Sequence, residues 1–266
     1  LKGSFSTFYA DDNWRLMTFV EGVSYDALTT AEQAYEAGAA LATFHAAVAD
    51  LDIEFSHQRP HVHDTLRHIQ GLCDALEKHA DHPRFAQIAP LAESILSSAA
   101  ALPEINMQRE RLVHGDPKIS NLLFDDADKA LCWVDLDTLA RMPLALEMGD
   151  AFRSWCNPES EEAASPGFSL EYFTAAAQGY ASCSEGFIEP DEWQTFIDGT
   201  QTVLVELAAR FCTDALNESY FGWNADMFAT RGEHNEARAK NQMQVLESFL
   251  NKHEQCTAAL QQAFSR

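Results

Sequence analysis

Arg111-Leu-Val-His-Gly-Asp116-Pro-Lys118-Ile-Ser-Asn121-Leu-Leu-Phe-Asp-Asp-Ala-Asp-Lys-Ala-Leu-Cys-Trp-Val-Asp135-Leu-Asp137 is the stretch on which the fold turns. A short apolar strand, Leu112 and Val113, runs into a polar loop. A β-hairpin follows, with strands at Leu122–Phe124 and 131–134 and a turn at 125–129. Asp116 and Asn121 lie in the loop and Asp135 ends the second strand. A tight hairpin brings its ends together, so these three oxygen-bearing side chains are expected to converge on one small volume, with Lys118 among them. Such a set suits magnesium, which takes oxygen ligands and shares them with substrate phosphates.

The rest of the 266-residue chain is large enough for one sizeable core. Its formal charge of −23, from 18 Lys and Arg against 41 Asp and Glu, argues against nucleic acid or an anionic membrane as partner, since both need a basic face. No apolar run approaches the ~20 residues that span a bilayer, and no signal-peptide pattern opens the chain. Six cysteines, at 73, 132, 156, 183, 212 and 256, form no C-x-x-C pair. Most fall among apolar neighbours, which suits reduced, buried thiols in a cytoplasm, and neither a zinc site nor a disulfide framework is suggested.

Outward from the hairpin, residues 4–10 and 14–20 read as two strands joined by a turn at 11–13, and Glu21-Gly22 starts a linker. Thr29, Thr30 and Gln33 offer a capping box for a helix reaching about Leu51, with Ala34, Ala37, Leu41, Phe44 and Val48 on its apolar face and His45 beside it as a core or supporting residue. Residues 52–61 form a polar loop. Periodicity near 3.6 predicts helices over 63–80, 84–101, 146–156, 168–183, 191–216 and 234–250, and a short one near 252–264. The segment 138–144 reads as a loop, as does the acidic run 159–167. Four of the ten histidines fall within 57–68 and read as surface residues. The late helix carries Arg210 and Asp214, and Tyr220-Phe221-Gly222-Trp223 follows as an aromatic loop, either a stacking platform for a sugar or a plug on a helix end.

The spacing inside the central stretch matches a known chemistry. Protein kinases place a catalytic Asp five residues before a metal-binding Asn, and a second metal-binding Asp follows. Asp116, Asn121 and Asp135 repeat that order. With His114-Gly115-Asp116-x-Lys118-x-x-Asn121 and Val134-Asp135-Leu136-Asp137 in place, the sequence resembles the aminoglycoside/choline kinase-like phosphotransferase family, which has a protein-kinase-like fold. Gly149-Asp150-Ala-Phe-Arg153 and Arg210-Phe-Cys-Thr-Asp214 look most like the sugar kinases related to N-acetylhexosamine 1-kinase.

The resemblance implies an α+β chain, mainly the helical C-lobe with an embedded catalytic hairpin. Residues 1–22 would be the last two N-lobe strands and the hinge, and 23–266 the helical lobe. It implies ATP as co-substrate and Mg2+ as cofactor. Asp116 would take the proton of the acceptor hydroxyl, with Lys118 offsetting charge on the phosphoryl group. Asn121 and Asp135 would hold the metal, and Phe19, Val20 and Glu21 would meet adenine. Arg210, Asp214 and Tyr220 would contact the acceptor. Asp150 would accept the backbone N–H groups of the catalytic loop, and Asp137 would be a further metal-shell carboxylate or a loop anchor. The phosphate-covering loop and the strand Lys of such enzymes precede the hinge, so this stretch alone is expected to turn over slowly or not at all. The acceptor is expected to be a small hydroxylated molecule, a sugar first. An aminoglycoside, choline or an amino alcohol are the enzymatic alternatives, and a kinase-fold binding module is the non-catalytic one.

Overall fold

The computed structural model describes residues 6–55, 61–159, 163 and 165–265. It is mainly helical, with three small two-stranded antiparallel sheets, as expected for the α+β class. The first sheet pairs β1 (Thr7–Tyr9) with β2 (Asp12–Trp14), and every residue of both strands is exposed. The turn falls at Ala10 and Asp11, both at positive φ, rather than at 11–13. The second strand stops at Trp14 instead of reaching residue 20, because among the described residues the two-stranded ribbon has no further strand beside it to extend it. Past this ribbon, Val23 pairs with Phe124 through two backbone hydrogen bonds of 2.9 and 2.8 Å.

Helix α1 (Ala31–Val48) starts where the capping pattern placed it. The Thr30 hydroxyl accepts Gln33 N at 3.1 Å, and Gln33 Oε1 accepts Thr29 N at 2.9 Å. α2 (Thr65–Lys78) and α3 (Phe85–Ala99) follow. Next come β3 (Arg111–Val113), β4 (Leu122–Phe124) and β5 (Ala130–Trp133). β4 and β5 form the expected hairpin. The segment read as a loop after it contains a strand, β6 (Ala140–Met142), which pairs with β3. At three residues with a charged centre, Arg141, it carries too little alternation to show as a strand in sequence.

The helical body is completed by α4 (Leu144–Trp155), α5 (Leu170–Cys183), α6 (Pro190–Trp193), α7 (Phe196–Asn217), α8 (Arg231–Leu250) and α9 (His253–Phe264). The single helix expected over 191–216 is thus two, parted at Gln194 and Thr195. Parts of the loops expected over 52–61 and 159–167, His57 among them, lie outside the described residues.

Two helix pairs, α1 with α5 and α4 with α7, form the frame. Both approach closely through glycines. A methyl on Gly179 would sit 2.0 Å from Tyr35 O, and one on Gly199 would sit 1.7 Å from Ala145 O. Backbones this near leave no space for a larger residue, and protein interiors do not yield by that much. An aromatic cluster built on Phe152, Trp155, Phe173, Tyr180 and Phe196 fills the centre between them.

Candidate active site

The loop after β3 hangs from α4. His114 is fully buried. Its ring donates through Nε2 to Val134 O at 2.9 Å and lies against Trp133, with centroids 5.2 Å apart. Its backbone N–H and that of Gly115 both donate to the Glu147 carboxylate, each at 3.0 Å. Gly115 has φ +83°, and a Cβ there would fall 2.1 Å from Thr138 O, so only glycine fits. The carboxylate gripping the loop is therefore Glu147 and not Asp150. The two are three residues apart on α4, which turns them ~60° around the axis. Glu147 faces the loop, while Asp150 accepts from Arg153 Nε at 2.8 Å.

His45 of α1 supports Glu147 from behind. Its Nε2 lies 3.4 Å from Glu147 Oε1, and its Nδ1 lies 2.8 Å from the Tyr180 hydroxyl. Burial, followed by the Glu147 and Glu192 carboxylates, pushes the Tyr180 phenol well above its usual value, so its hydroxyl keeps its proton beside the ring. Two more bonds fix the loop to α4, from Ile119 N to Ser154 Oγ at 3.1 Å and from Trp155 Nε1 to Pro117 O at 2.8 Å.

On this platform Asp116 is partly exposed, with Oδ2 2.7 Å from Lys118 Nζ. Asn121 donates its amide N–H to Asp116 O at 2.9 Å, leaving its amide oxygen without a partner among the described residues. Asp135 is exposed and left-handed, at φ 62° and ψ 44°. The two ends of the motif are tied by Val134 N donating to Asn121 O at 2.9 Å, and by the Thr138 hydroxyl, 2.8 Å from His114 O and 2.9 Å from Asp135 O. Among the described residues no group of three His, Cys, Asp or Glu side chains is placed to hold a metal. An amide oxygen and one carboxylate suit magnesium nonetheless, since that ion keeps several waters and takes phosphate oxygens. Asp137 pairs with Arg15 of the N-terminal segment at 2.5 Å, both side chains being exposed.

Beside Asp116 opens a cleft of about 900 Å³, walled by α2, α4, α7 and the aromatic loop. Asp116, Lys118, Arg210, Asp214 and Tyr220 all line it, whereas Asn121, Asp135 and Phe19, Val20 and Glu21 do not. The last three are exposed, Phe19 by 86%, in the segment leading to the Val23–Phe124 bridge. Asp214 is not an open acceptor. Its Oδ1 takes Ser219 N and Tyr220 N at 2.8 and 2.9 Å, and its Oδ2 takes Phe221 N and Asn235 Nδ2, both at 2.9 Å. It shapes the aromatic loop, on which the Arg210 guanidinium lies 5.9 Å from the Tyr220 ring centre and 5.5 Å from that of Phe221.

Sequence reasoning missed a buried cluster in this wall. His63, read as a surface residue, bonds through Nδ1 to Glu206 Oε1 at 3.0 Å, and Thr65 donates to Glu206 Oε2 at 2.8 Å. The one signal available was the Glu206–Arg210 spacing, which puts both on one face of α7. Burial works against charge on His63, but Glu206 outweighs it and the ring titrates above its usual 6.5. Burial likewise opposes the Asp150 charge, yet Arg153, His63 and Arg210 hold that carboxyl below its ordinary range. A raised folded pKa means the native state holds a proton the unfolded chain has lost. The stabilisation from His63 is therefore complete below pH 6.5 and fades as pH rises through the raised value. Denaturant unfolding from pH 6 to 9 should show stability declining with pH, and His63→Gln should flatten that decline. An unchanged slope in the variant would remove His63 from the account.

A family model described as the phosphotransferase enzyme family matches residues 5–185. Among solved structures, the chain is similar to an aminoglycoside phosphotransferase from Alicyclobacillus acidocaldarius subsp. acidocaldarius DSM 446, with TM-score 0.63 and 16% identity over 94% of this chain and 75% of that one. It is also similar to a choline kinase from Cryptosporidium parvum Iowa II, with TM-score 0.51 and 12% identity over 93% and 73% of the two chains. An ethanolamine kinase from Plasmodium vivax gives TM-score 0.50 and 11% identity over 93% and 68%. At these identities the likeness is one of fold. No curated protein matches the sequence.

Proposed function

The chain belongs to the phosphotransferase enzyme family and has a mainly helical, protein-kinase-like fold; from that premise we propose that it moves the γ-phosphate of ATP to a hydroxyl of a small molecule, a sugar, held in the cleft beside Asp116. The observation that carries this reading is the placement of the Asp116 carboxylate at a pocket of about 900 Å³, within the range of small-molecule sites, on a loop held rigid by Glu147.

Phosphoryl transfer asks for positioning and charge neutralisation more than for reactive groups. The acceptor oxygen bonds to the γ-phosphorus, the bond from that phosphorus to the β–γ bridging oxygen breaks, and ADP leaves with that oxygen. The hydroxyl proton passes to Asp116. Lys118, paired to Asp116 Oδ2, adds positive charge beside the moving phosphoryl group. Asn121 and Asp135 are the residues for Mg2+, which supplies charge neutralisation to the nucleotide phosphates when bound. The segment of Phe19, Val20 and Glu21 is assigned to adenine, and residues 1–22 to the strand-and-hinge side of the fold, with 23–266 as the helical lobe. Arg210 and Tyr220 face the acceptor, and Asp214 acts on it through the loop it shapes. In-line displacement at phosphorus makes the approach of the hydroxyl matter alongside the base that takes its proton.

Nucleotide binding provides the test. Mg2+–ATP at a hundred times its dissociation constant should stabilise the chain by about 2.7 kcal/mol, read as a rise in melting temperature. Asp135→Ala should remove most of that rise. A variant that shifts as far as the parent would take Asp135 out of the metal site, and no rise in either would count against the kinase reading of this chain.

A further inference from the structure

The charge inside the cleft is opposite in balance to the charge of the chain. Five basic side chains and four carboxylates line it, in a protein with 18 basic and 41 acidic residues. All four carboxylates are engaged within the protein. Asp116 meets Lys118, Asp150 meets Arg153, Glu206 takes His63 and Thr65, and Asp214 takes three backbone N–H groups and Asn235. Two of the arginines are not so engaged. Arg67 of α2 and Arg210 of α7 make no side-chain hydrogen bond or ion pair among the described residues; Arg210 stacks on the Tyr220 and Phe221 rings and acts on Asp150 and His63 only through its charge.

Donors with nothing to donate to, in a partly enclosed pocket, favour an anion. A guanidinium offers planar paired N–H groups that fit a carboxylate or phosphate, and stacking on aromatic faces holds its plane in place without using those donors. A cationic acceptor finds the opposite situation, with each lining carboxylate already holding a partner within the protein and two arginines to repel it.

We infer that the acceptor carries an anionic group, a carboxylate or a phosphate monoester, taken by Arg210 together with Arg67, while its hydroxyl faces Asp116. This rests on the proposed function for the hydroxyl and stands apart from it for the anion. The acceptor class is then an acidic sugar or a sugar phosphate rather than a free amine.

Calorimetric titration of the full chain, without nucleotide and at low salt, tests the anion site directly. The probes are glucuronate for the carboxylate, glucose 6-phosphate for the phosphate, glucose as the neutral member and glucosamine as the cation. At least one anion should bind about tenfold more tightly than glucose or glucosamine, the scale of one charge-assisted pairing. Arg210→Gln and Arg67→Gln should each erase most of that preference, and Arg210→Lys should keep part of it. Because Arg67 is exposed on α2, its variant gives the readout even if Arg210→Gln fails to fold. Equal or tighter binding of glucose or glucosamine overturns the inference, as does anion binding that Arg67→Gln leaves unmoved or that Mg2+–ATP displaces. Anion binding in a chain that Mg2+–ATP does not stabilise would count against the proposed function and leave the anion site standing.

Discussion

Asp116→Asn is expected to lower the rate of phosphoryl transfer by about 10²–10⁴-fold, the usual contribution of a positioned general base. The substitution keeps the shape of the side chain and an oxygen for Lys118 Nζ, now 2.7 Å from Asp116 Oδ2. It removes only the capacity to take a proton. Asp116 is partly exposed and belongs to no buried network through its carboxylate, so the melting temperature should move little. Rate and stability thus separate in this variant. Following ADP release with an accepted substrate, together with a melting curve, checks both. If the variant kept more than a tenth of the rate, positioning alone would account for the catalysis and the base role would be withdrawn.

Glu147→Ala should act in the opposite way, by unfolding. Glu147 is fully buried and accepts from two backbone N–H groups, with the His45 ring behind it. Each buried donor left without a partner costs about 1–3 kcal/mol. Two such donors put the loss at about 2–6 kcal/mol, a large share of the roughly 5–15 kcal/mol that holds a typical domain folded. Glu147→Gln, which keeps one acceptor, should fall between. Asp150→Ala is the control, because Asp150 lies on the same helix but touches the cleft side. Denaturant titration of the three variants ranks them. A Glu147→Ala loss below 1 kcal/mol, or a greater loss from Asp150→Ala, would mean that the loop is held elsewhere.

The contrast between those two acidic residues shows where a sequence stops being readable. The central stretch was legible because the order and offsets of Asp116, Asn121 and Asp135 on a loop and hairpin match a known phosphotransferase spacing, and the family match bears out the phosphotransferase reading. Glu147 and Asp150 carry the same charge on one helix, and periodicity gives the repeat of that helix without its absolute rotation against the loop. His63 was missed for a related reason, since its partner Glu206 lies 143 residues away and nothing local marks the pair. β6 was too short to show a pattern, and β2 was read too long because its apolar run continues past the point where a neighbouring strand supports it. Asp214 was visible as a residue near the acceptor wall, but not as the hub of four hydrogen bonds that bend the aromatic loop.

Helix α4 joins what these readings keep apart. Glu147, Ser154 and Trp155 grip the catalytic loop, Asp150 and Arg153 face the cleft, and Gly149 lies against the backbone of α7, which carries Glu206 and Arg210. The Asp116 loop and the cleft wall are in this sense a single stiff casting. By comparison, the ribbon before residue 23 meets the body through the Val23–Phe124 bridge and the Arg15–Asp137 pair. A change in α4 therefore reaches the Asp116 loop and the cleft wall together, whereas the ribbon is joined to the same body by a bridge and an exposed ion pair.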